Sequence, residues 1–301
     1  MNSNRTNRRN FLQTTTLAAA GLVAGSTWNS HNARAAERER SNQGRIYKSN
    51  KGGGIGRNKE EMLARLNQYK DLGFDGIEGI SPGISDLSAL REAVEETGVP
   101  VPGVVDMVHW GDDARLSSPN EAARAKGVAA LEQAIKDSHA IGGSTVLLVP
   151  GKVTGPDENH DHVWERSIVE IRKVLPTASR YGIHVLIENV WNGFCETPDQ
   201  YRDYIDEIDS PWVAAYFDIG NCRKFGPAED WVRTLGTRIV KLDVKDWGRE
   251  NGFCRLGEGD VDWPEVRAAL AETGFSGWAT REGGDNSLED TAALMDELLD
   301  L

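Results

Sequence analysis

The sequence predicts an α/β fold, a single (β/α)8 TIM barrel, on three observations. Short apolar runs alternate with amphipathic helical segments along most of the 301 residues, and eight strand–helix units can be counted. Four successive apolar runs in the second half each end on a carboxylate. No G-x-G-x-x-G turn follows the first run, so an open, doubly wound sheet is the weaker alternative.

The first 35 residues predict an export signal that is not part of the fold. Asn7-Arg8-Arg9-Asn10-Phe11-Leu12-Gln13 precedes an apolar region, residues 14–25, and Ala33-Arg34-Ala35 offers a small-x-small cleavage site. This order of features resembles a twin-arginine signal, and a disordered basic N-terminus is the alternative. We therefore expect an exported, periplasmic protein.

The charge balance restricts the partners. Removing residues 1–35 takes away four arginines and no acid, which moves the net charge from −13 to about −17. A surface that negative repels nucleic acid and anionic membranes, so we expect neither as a partner. No apolar run reaches the ~18 residues that a membrane helix needs. The composition leaves a homo-oligomer open.

The elements follow in a regular order after a polar, glycine-rich stretch. Residues 36–57 predict a linker and a weak first strand near residues 45–49, and residues 58–301 predict the barrel itself. Asn58 can cap the first helix, which Gly73 ends. Further strands are predicted at 76–80, 101–107, 145–149, 184–189, 213–218, 239–244 and 277–282. Helices are predicted at 58–72, 86–97, 119–140, 163–181, 198–208, 227–235, 263–273 and 287–299.

Four acids mark the exits of the last four predicted strands. They are Glu188, Asp218, Asp243 and Glu282. Because neighbouring strands lie ~4.8 Å apart and the wall of a barrel curves, four such side chains can converge on one ion. Crowded carboxylates without a cation would repel one another. An all-oxygen set favours one divalent ion, Mn²⁺ or Mg²⁺ before Zn²⁺.

Several segments together resemble the xylose isomerase-like barrel superfamily of sugar isomerases and epimerases, over residues 58–300. They are Ile187-Glu188-Asn189-Val190-Trp191-Asn192, Tyr216-Phe217-Asp218-Ile219-Gly220-Asn221, Val244-Lys245-Asp246, residues 257–263 and residues 277–282. The resemblance implies that Glu188, Asp218 and Glu282 are metal ligands. The chain departs from the family pattern at two positions, with Asp243 and Asn221 where histidine is usual.

The resemblance implies proton transfer next to a carbonyl. We expect a divalent-metal-dependent sugar isomerase or epimerase that acts on a ketose or keto-sugar through a metal-stabilised enediolate. Glu188 and Glu282 would be the acid–base groups. Export favours a free sugar over a phosphorylated one.

Other residues are weaker candidates for contacts with the sugar. His109 could bind a hydroxyl, Trp191 could stack on the sugar, and Asn221 could donate a hydrogen bond. Lys245 and Arg249 could neutralise negative charge on a sugar oxygen. Each has a plain alternative as a packing or solvated loop residue.

Two other functions stay open. A metal-dependent lyase or hydrolase such as endonuclease IV uses the same barrel, but the six histidines and the acidic charge argue against a histidine-rich zinc site and a basic groove. A sugar-binding barrel without activity is the other alternative, because Asp243 stands in place of histidine.

Overall fold

The computed structural model describes residues 41–51, 54–283 and 287–301. The twin-arginine motif and cleavage site predicted at residues 1–35 lie outside these described residues. From Ser41 to Leu301, the described residues belong to one compact unit. No described helix combines the length and the apolar character that crossing a membrane requires.

Eight parallel strands form the wall of a barrel. The strands are β1 Ile46–Asn50, β2 Gly79–Ser81, β3 Gly103–Asp106, β4 Thr145–Leu148, β5 His184–Glu188, β6 Val213–Asp218, β7 Ile239–Val244 and β10 Gly277–Arg281. In the order β1-β10-β7-β6-β5-β4-β3-β2, each strand pairs with the next. Every residue of β6 is buried, as expected of a parallel strand that packs on both faces.

Backbone hydrogen bonds bring the two ends of this sheet together. The carbonyl of Lys48 accepts from Gly76 N–H at 3.3 Å, and the carbonyl of Asn50 accepts from Glu78 N–H at 3.0 Å. The backbone that leads into β2 therefore runs beside β1 and completes the ring. The predicted (β/α)8 barrel is confirmed.

Helices connect successive strands and cover the outside of the barrel. Most begin at a side-chain cap: Asn58 accepts from the N–H of Glu61, and Thr197 accepts from that of Gln200. The helices are α1 Lys59–Asp71, α2 Leu87–Thr97, α3 Glu121–Ala140, α4 His160–Tyr181, α5 Pro198–Ile208, α6 Ile219–Cys222, α7 Ala228–Leu235, α8 Trp263–Glu272 and α9 Leu288–Leu299.

The predicted first strand is present as β1, and it pairs along its length with β10. It therefore belongs to the barrel wall. Two helix starts differ from expectation because an asparagine cap decides them. Asn120 caps α3, which begins two residues after Pro119, and Asn159 caps α4, which begins three residues before Val163.

One element was not predicted. Between β7 and α8, strands β8 Asp246–Gly248 and β9 Gly252–Cys254 pair in an antiparallel hairpin. It follows the carboxyl end of β7, at the end of the barrel where the strand-exit acids lie. The hairpin therefore adds structure beside the candidate site.

Candidate metal and catalytic site

The structure brings all four strand-exit acids together. Glu188 ends β5, Asp218 ends β6, Asp243 lies in β7, and Glu282 directly follows β10. Each offers a carboxylate oxygen, and these four atoms all lie within 4.8 Å of one another. We call this group the acid cluster. It is the one group of three or more potential ligands found in the described part of the chain.

Strand register and a helix cap hold the acid cluster in place. Asp218 and Asp243 are direct neighbours across the β6–β7 ladder. Asp218 also caps α6, because its Oδ1 accepts from Asn221 N–H at 2.7 Å. Asn189 bonds the Asp218 backbone in both directions, accepting from its N–H at 2.8 Å and donating to its carbonyl at 2.9 Å. This part of the site is therefore fixed by the fold.

Two lysines lie among the four acids. The Lys51 ammonium contacts Asp243 and lies 2.8 Å from Oε2 of Glu282. The Lys245 ammonium lies 3.0 Å from Oδ2 of Asp218 and 3.2 Å from Oε1 of Glu282. The cluster thus combines four carboxyl groups with two ammonium groups.

The two glutamates have opposite pKa shifts. Burial raises the pKa of Glu188 to about 7, with Lys51 opposing the shift and Glu282 adding to it. Burial also acts to raise the pKa of Glu282, but the ammonium groups of Lys51 and Lys245 outweigh it and lower that pKa to about 2. Burial raises the pKa of the other two acids of the cluster, Asp218 and Asp243.

The acid cluster fits a divalent ion. All its ligand atoms are carboxylate oxygens, which suit a hard cation such as Mg²⁺ or Mn²⁺. Oδ1 of Asp243 is buried without a hydrogen-bond partner among the described residues. Because a buried carboxylate oxygen needs a partner, this atom is where a cation would supply one.

A pocket of about 340 Å³ opens above the acid cluster. Glu188 and Glu282 line this central pocket, whereas Asp218 and Asp243 do not and are fully buried. Two acids therefore face the pocket, and two lie beneath them. Other lining residues include His109, Trp110, Arg115, Lys152, Trp191, Asn221, Lys245 and Phe253.

His109 presents a hydrogen-bond donor to the central pocket. Its Nδ1 accepts from the backbone N–H of Val149 at 3.3 Å, so the proton of the neutral ring is on Nε2. Nε2 is buried and has no hydrogen-bond partner in the described residues. Burial, together with the charge of Lys51, lowers the pKa of His109 to about 3, which keeps the ring neutral.

Aromatic side chains form one side of the pocket entrance. Trp191 stacks on Phe253 with ring centres 4.6 Å apart and planes 25° apart, and it meets Trp247 edge to face. Its Nε1–H donates to the carbonyl of Asn221 at 2.8 Å. Trp191 and Phe253 remain 39% and 48% exposed. Both rings can therefore contact a ligand.

Of the predicted contact residues, Asn221 lies at the central pocket and Arg249 lies apart from it. Asn221 lines the pocket, but its Nδ2 already donates to the carbonyl of Asn189 at 3.0 Å. Arg249 is not among the lining residues, and it lies in a separate surface pocket with Arg223 and Asp260. The β8–β9 hairpin explains this placement, because Arg249 lies in its turn. The structure therefore places Arg249 apart from the central pocket, and its contact with the sugar stays a prediction.

Sequence reasoning missed two residues of the site. Lys51 was placed in a linker, although its position directly after β1 is the same strand-exit position that identified the acids. Phe253 lies in the hairpin that was not predicted, and no local pattern marked it. The strand-exit position could therefore have identified Lys51 from the sequence, whereas Phe253 is recognised only in the structure.

The family model of the xylose isomerase-like TIM barrel matches residues 66–300. The chain belongs to this family. L-Ribulose-5-phosphate 3-epimerase of Escherichia coli is 27% identical over 249 residues, which cover 78% of this chain and 86% of that protein.

Solved structures of sugar epimerases have the same fold as this family member. An L-ribulose 3-epimerase matches with a TM-score of 0.72 at 20% identity, over 85% of this chain and 94% of that one. A 3-keto-D-glucoside 4-epimerase from E. coli matches with a TM-score of 0.65 at 18% identity, over 84% and 98% of the two chains. The chain is thus similar to enzymes that are isomerases.

Proposed function

We propose that the chain is a divalent-metal-dependent sugar epimerase or isomerase that acts on a ketose or keto-sugar. The observation that carries this proposal is the division of the acid cluster. Glu188 and Glu282 line the central pocket, and Asp218 and Asp243 lie beneath it with ligand atoms in the same 4.8 Å group. Epimerases among the relatives and structural neighbours support it.

The four acids Glu188, Asp218, Asp243 and Glu282 would hold the ion, Mn²⁺ or Mg²⁺ before Zn²⁺. When bound, the ion supplies positive charge that polarises the carbonyl and the neighbouring hydroxyl of a ketose. The proton to be moved lies on the carbon that bears this hydroxyl. The protein side chains then only have to remove and return that proton.

Glu188 and Glu282 are the groups in position to move this proton. Without an ion, burial raises the pKa of Glu188 to about 7, and Lys51 and Lys245 lower the pKa of Glu282 to about 2. A bound cation would favour the ionised form of both carboxyl groups. One of the two glutamates removes the carbon-bound proton, and the other returns one. Return to the opposite face gives an epimer, and return to the adjacent carbon gives an isomer.

The remaining lining residues can position a sugar. His109 offers its Nε2–H to an oxygen of the substrate, and Trp191 offers a ring face to its C–H groups. Lys245 faces the pocket beside Glu282 and can stabilise negative charge on a sugar oxygen. These contacts hold the reacting carbon near the two glutamates.

Solvent-exchange experiments test the proposal. The purified chain, supplied with Mn²⁺ or Mg²⁺ in D2O, is incubated with free ketoses and with ribulose 5-phosphate. We expect deuterium to enter a ketose beside its carbonyl, and we expect Glu188→Gln and Glu282→Gln each to lower the rate at least about a thousandfold. Product analysis then separates an epimer from an isomer.

Glu258→Gln is the matched control, because Glu258 is an exposed glutamate outside the central pocket. It should keep the exchange rate of the unchanged protein. Metal binding without exchange into any ketose or keto-sugar would contradict the proposal. That result would favour a lyase, a hydrolase or a binding protein on the same barrel.

We also propose that the chain is exported to the periplasm by its twin-arginine segment, which favours a free sugar as substrate. The basis is the order of the arginine pair, the apolar region and the Ala33-Arg34-Ala35 site in the sequence. Fractionation of cells that express the full chain tests the export. Retention of full-length protein in the cytoplasm would contradict it.

A further inference from the structure

Lys51 projects its side chain into the acid cluster from the end of β1. Its backbone N–H donates to the carbonyl of Arg281 at 2.9 Å, which fixes the residue beside β10. Its side chain is 16% exposed and its ammonium contacts Asp243 and Glu282. Both acids are among the four that would hold the ion.

A third contact fixes the direction of this side chain. The ammonium lies 5.1 Å from the ring centre of Tyr216, a fully buried residue of β6. Lys51 is also absent from the lining of the central pocket, whereas Lys245 lines it. The Lys51 charge is therefore held inside the cluster, on the side away from a substrate.

We propose that Lys51 is an internal counter-cation that competes with a divalent ion for Asp243 and Glu282. This inference rests on the proposed metal site. An ion that binds these carboxylates and an ammonium that contacts them need the same oxygen atoms. Two positive charges at so short a distance also repel each other strongly. Binding of the ion must therefore displace the Lys51 ammonium, so the residue lowers the affinity and keeps the ion exchangeable.

Lys51 also stabilises the cluster when no ion is bound. Four carboxyl groups within 4.8 Å repel one another, and burial makes each charge more costly. The ammonium offsets part of this repulsion. Loss of Lys51 should therefore make the ion-free protein less stable and increase the stabilisation gained on adding the ion.

Binding of Mn²⁺, followed by the electron paramagnetic resonance signal of the free ion, tests the proposal. Removal of a positive charge a few ångströms from the ion should tighten binding by at least about tenfold, so we expect this gain for Lys51→Met. Lys51→Arg keeps the charge, so its affinity should lie closer to that of the unchanged protein than to that of Lys51→Met. Lys48→Met is the matched control, because Lys48 lies three residues earlier, in β1, and pairs with Asp296 outside the site.

The outcomes separate this inference from the metal site itself. Equal affinity in Lys51→Met and the unchanged protein would overturn the role of Lys51 and leave the metal site standing. Failure of both proteins to bind Mn²⁺ would overturn the metal site and the inference together. Tighter binding in Lys51→Met with no change in Lys48→Met supports the competition.

A measurement on the unchanged protein covers the case in which Lys51→Met does not fold. Acylation of the neutral lysine amine, followed by mass spectrometry, reports how exposed and how easily deprotonated each lysine side chain is. We expect Mn²⁺ to increase labelling of Lys51 several-fold and to leave Lys48 unchanged, because the ion drives the Lys51 side chain out of the cluster. Equal labelling of Lys51 with and without Mn²⁺ would overturn the proposal.

Discussion

His109 shows how one buried hydrogen bond determines the chemistry that a side chain can offer. The backbone N–H of Val149 occupies Nδ1, so the neutral ring donates from Nε2 into the central pocket. A charged imidazolium would have two donors and no acceptor, and it would lose the Val149 bond. The fold therefore selects the neutral ring, in agreement with the pKa of about 3.

The titration of His109 predicts a pH dependence of stability. The ring binds a proton near pH 6.5 in the unfolded chain but only near pH 3 in the folded one, so the unfolded state binds more protons between these values. The contribution of this group to the free energy of unfolding is therefore fully present above about pH 6.5. It is lost as the pH is lowered, by up to about 1.4 kcal/mol per pH unit. Urea unfolding of the metal-free protein and of His109→Gln, at pH 4, 5 and 6, measures it.

The difference between the two slopes is the test, because other groups titrate in the same range. Burial raises the pKa of Asp106 to about 6, which gives a slope of the opposite sign in both proteins. Subtraction cancels that contribution, since the Asp106 side chain bonds backbone rather than the His109 ring. Parallel slopes for the two proteins would show that His109 titrates normally.

The β8–β9 hairpin builds one side of the pocket entrance. Phe253 in β9 stacks on Trp191, which follows β5. Phe253→Ala removes this stack, and aromatic pairs of this kind contribute about 0.5–1.5 kcal/mol. We expect KM for the active sugar to rise about two- to tenfold with kcat little changed, because the acid cluster is untouched. Steady-state kinetics measure this.

Controls for this prediction use other exposed aromatic rings. Phe253→Tyr keeps the stack and should keep KM. Tyr47→Ala removes a ring that is 42% exposed at the other end of the barrel wall, near the start of β1, and should also keep KM. A fall in kcat as large as the rise in KM would show that the hairpin acts on the chemical step instead.

The elements also show how far the sequence predicts this site. Strand ends were predictable because each buried apolar run stops at a polar residue, so the exits at Glu188, Asp218 and Glu282 could be placed to within a residue. Their convergence followed from the barrel. The hairpin and Phe253 could not be predicted, because a three-residue strand in a loop leaves no periodic pattern. Partners of Lys51 are 192 and 231 positions away, so only the fold reveals them.

A buried ion pair connects distant parts of the barrel. Lys241 in β7 pairs with Glu78, which leads into β2, and both side chains are about 1% exposed. The two residues are 163 positions apart, and their strands are not neighbours in the ring. Ring contacts add to this arrangement, because the Lys241 ammonium lies 5.0 Å from the centre of the Tyr216 ring.

Breaking this pair should destabilise the barrel more than replacing it. Lys241→Met leaves Glu78 as an uncompensated buried charge, so we expect a loss of about 3–5 kcal/mol in the free energy of unfolding. The double variant Lys241→Met, Glu78→Leu removes both charges and should recover most of that loss, because two ions no longer have to be desolvated. Lys48→Met breaks a pair whose other partner, Asp296, is 33% exposed and can be solvated, so it should cost less than Lys241→Met. Denaturant unfolding of the four proteins measures these free energies. A double variant no more stable than Lys241→Met would show that the placement of the two side chains across the barrel, and not the balance of their charges, stabilises the fold.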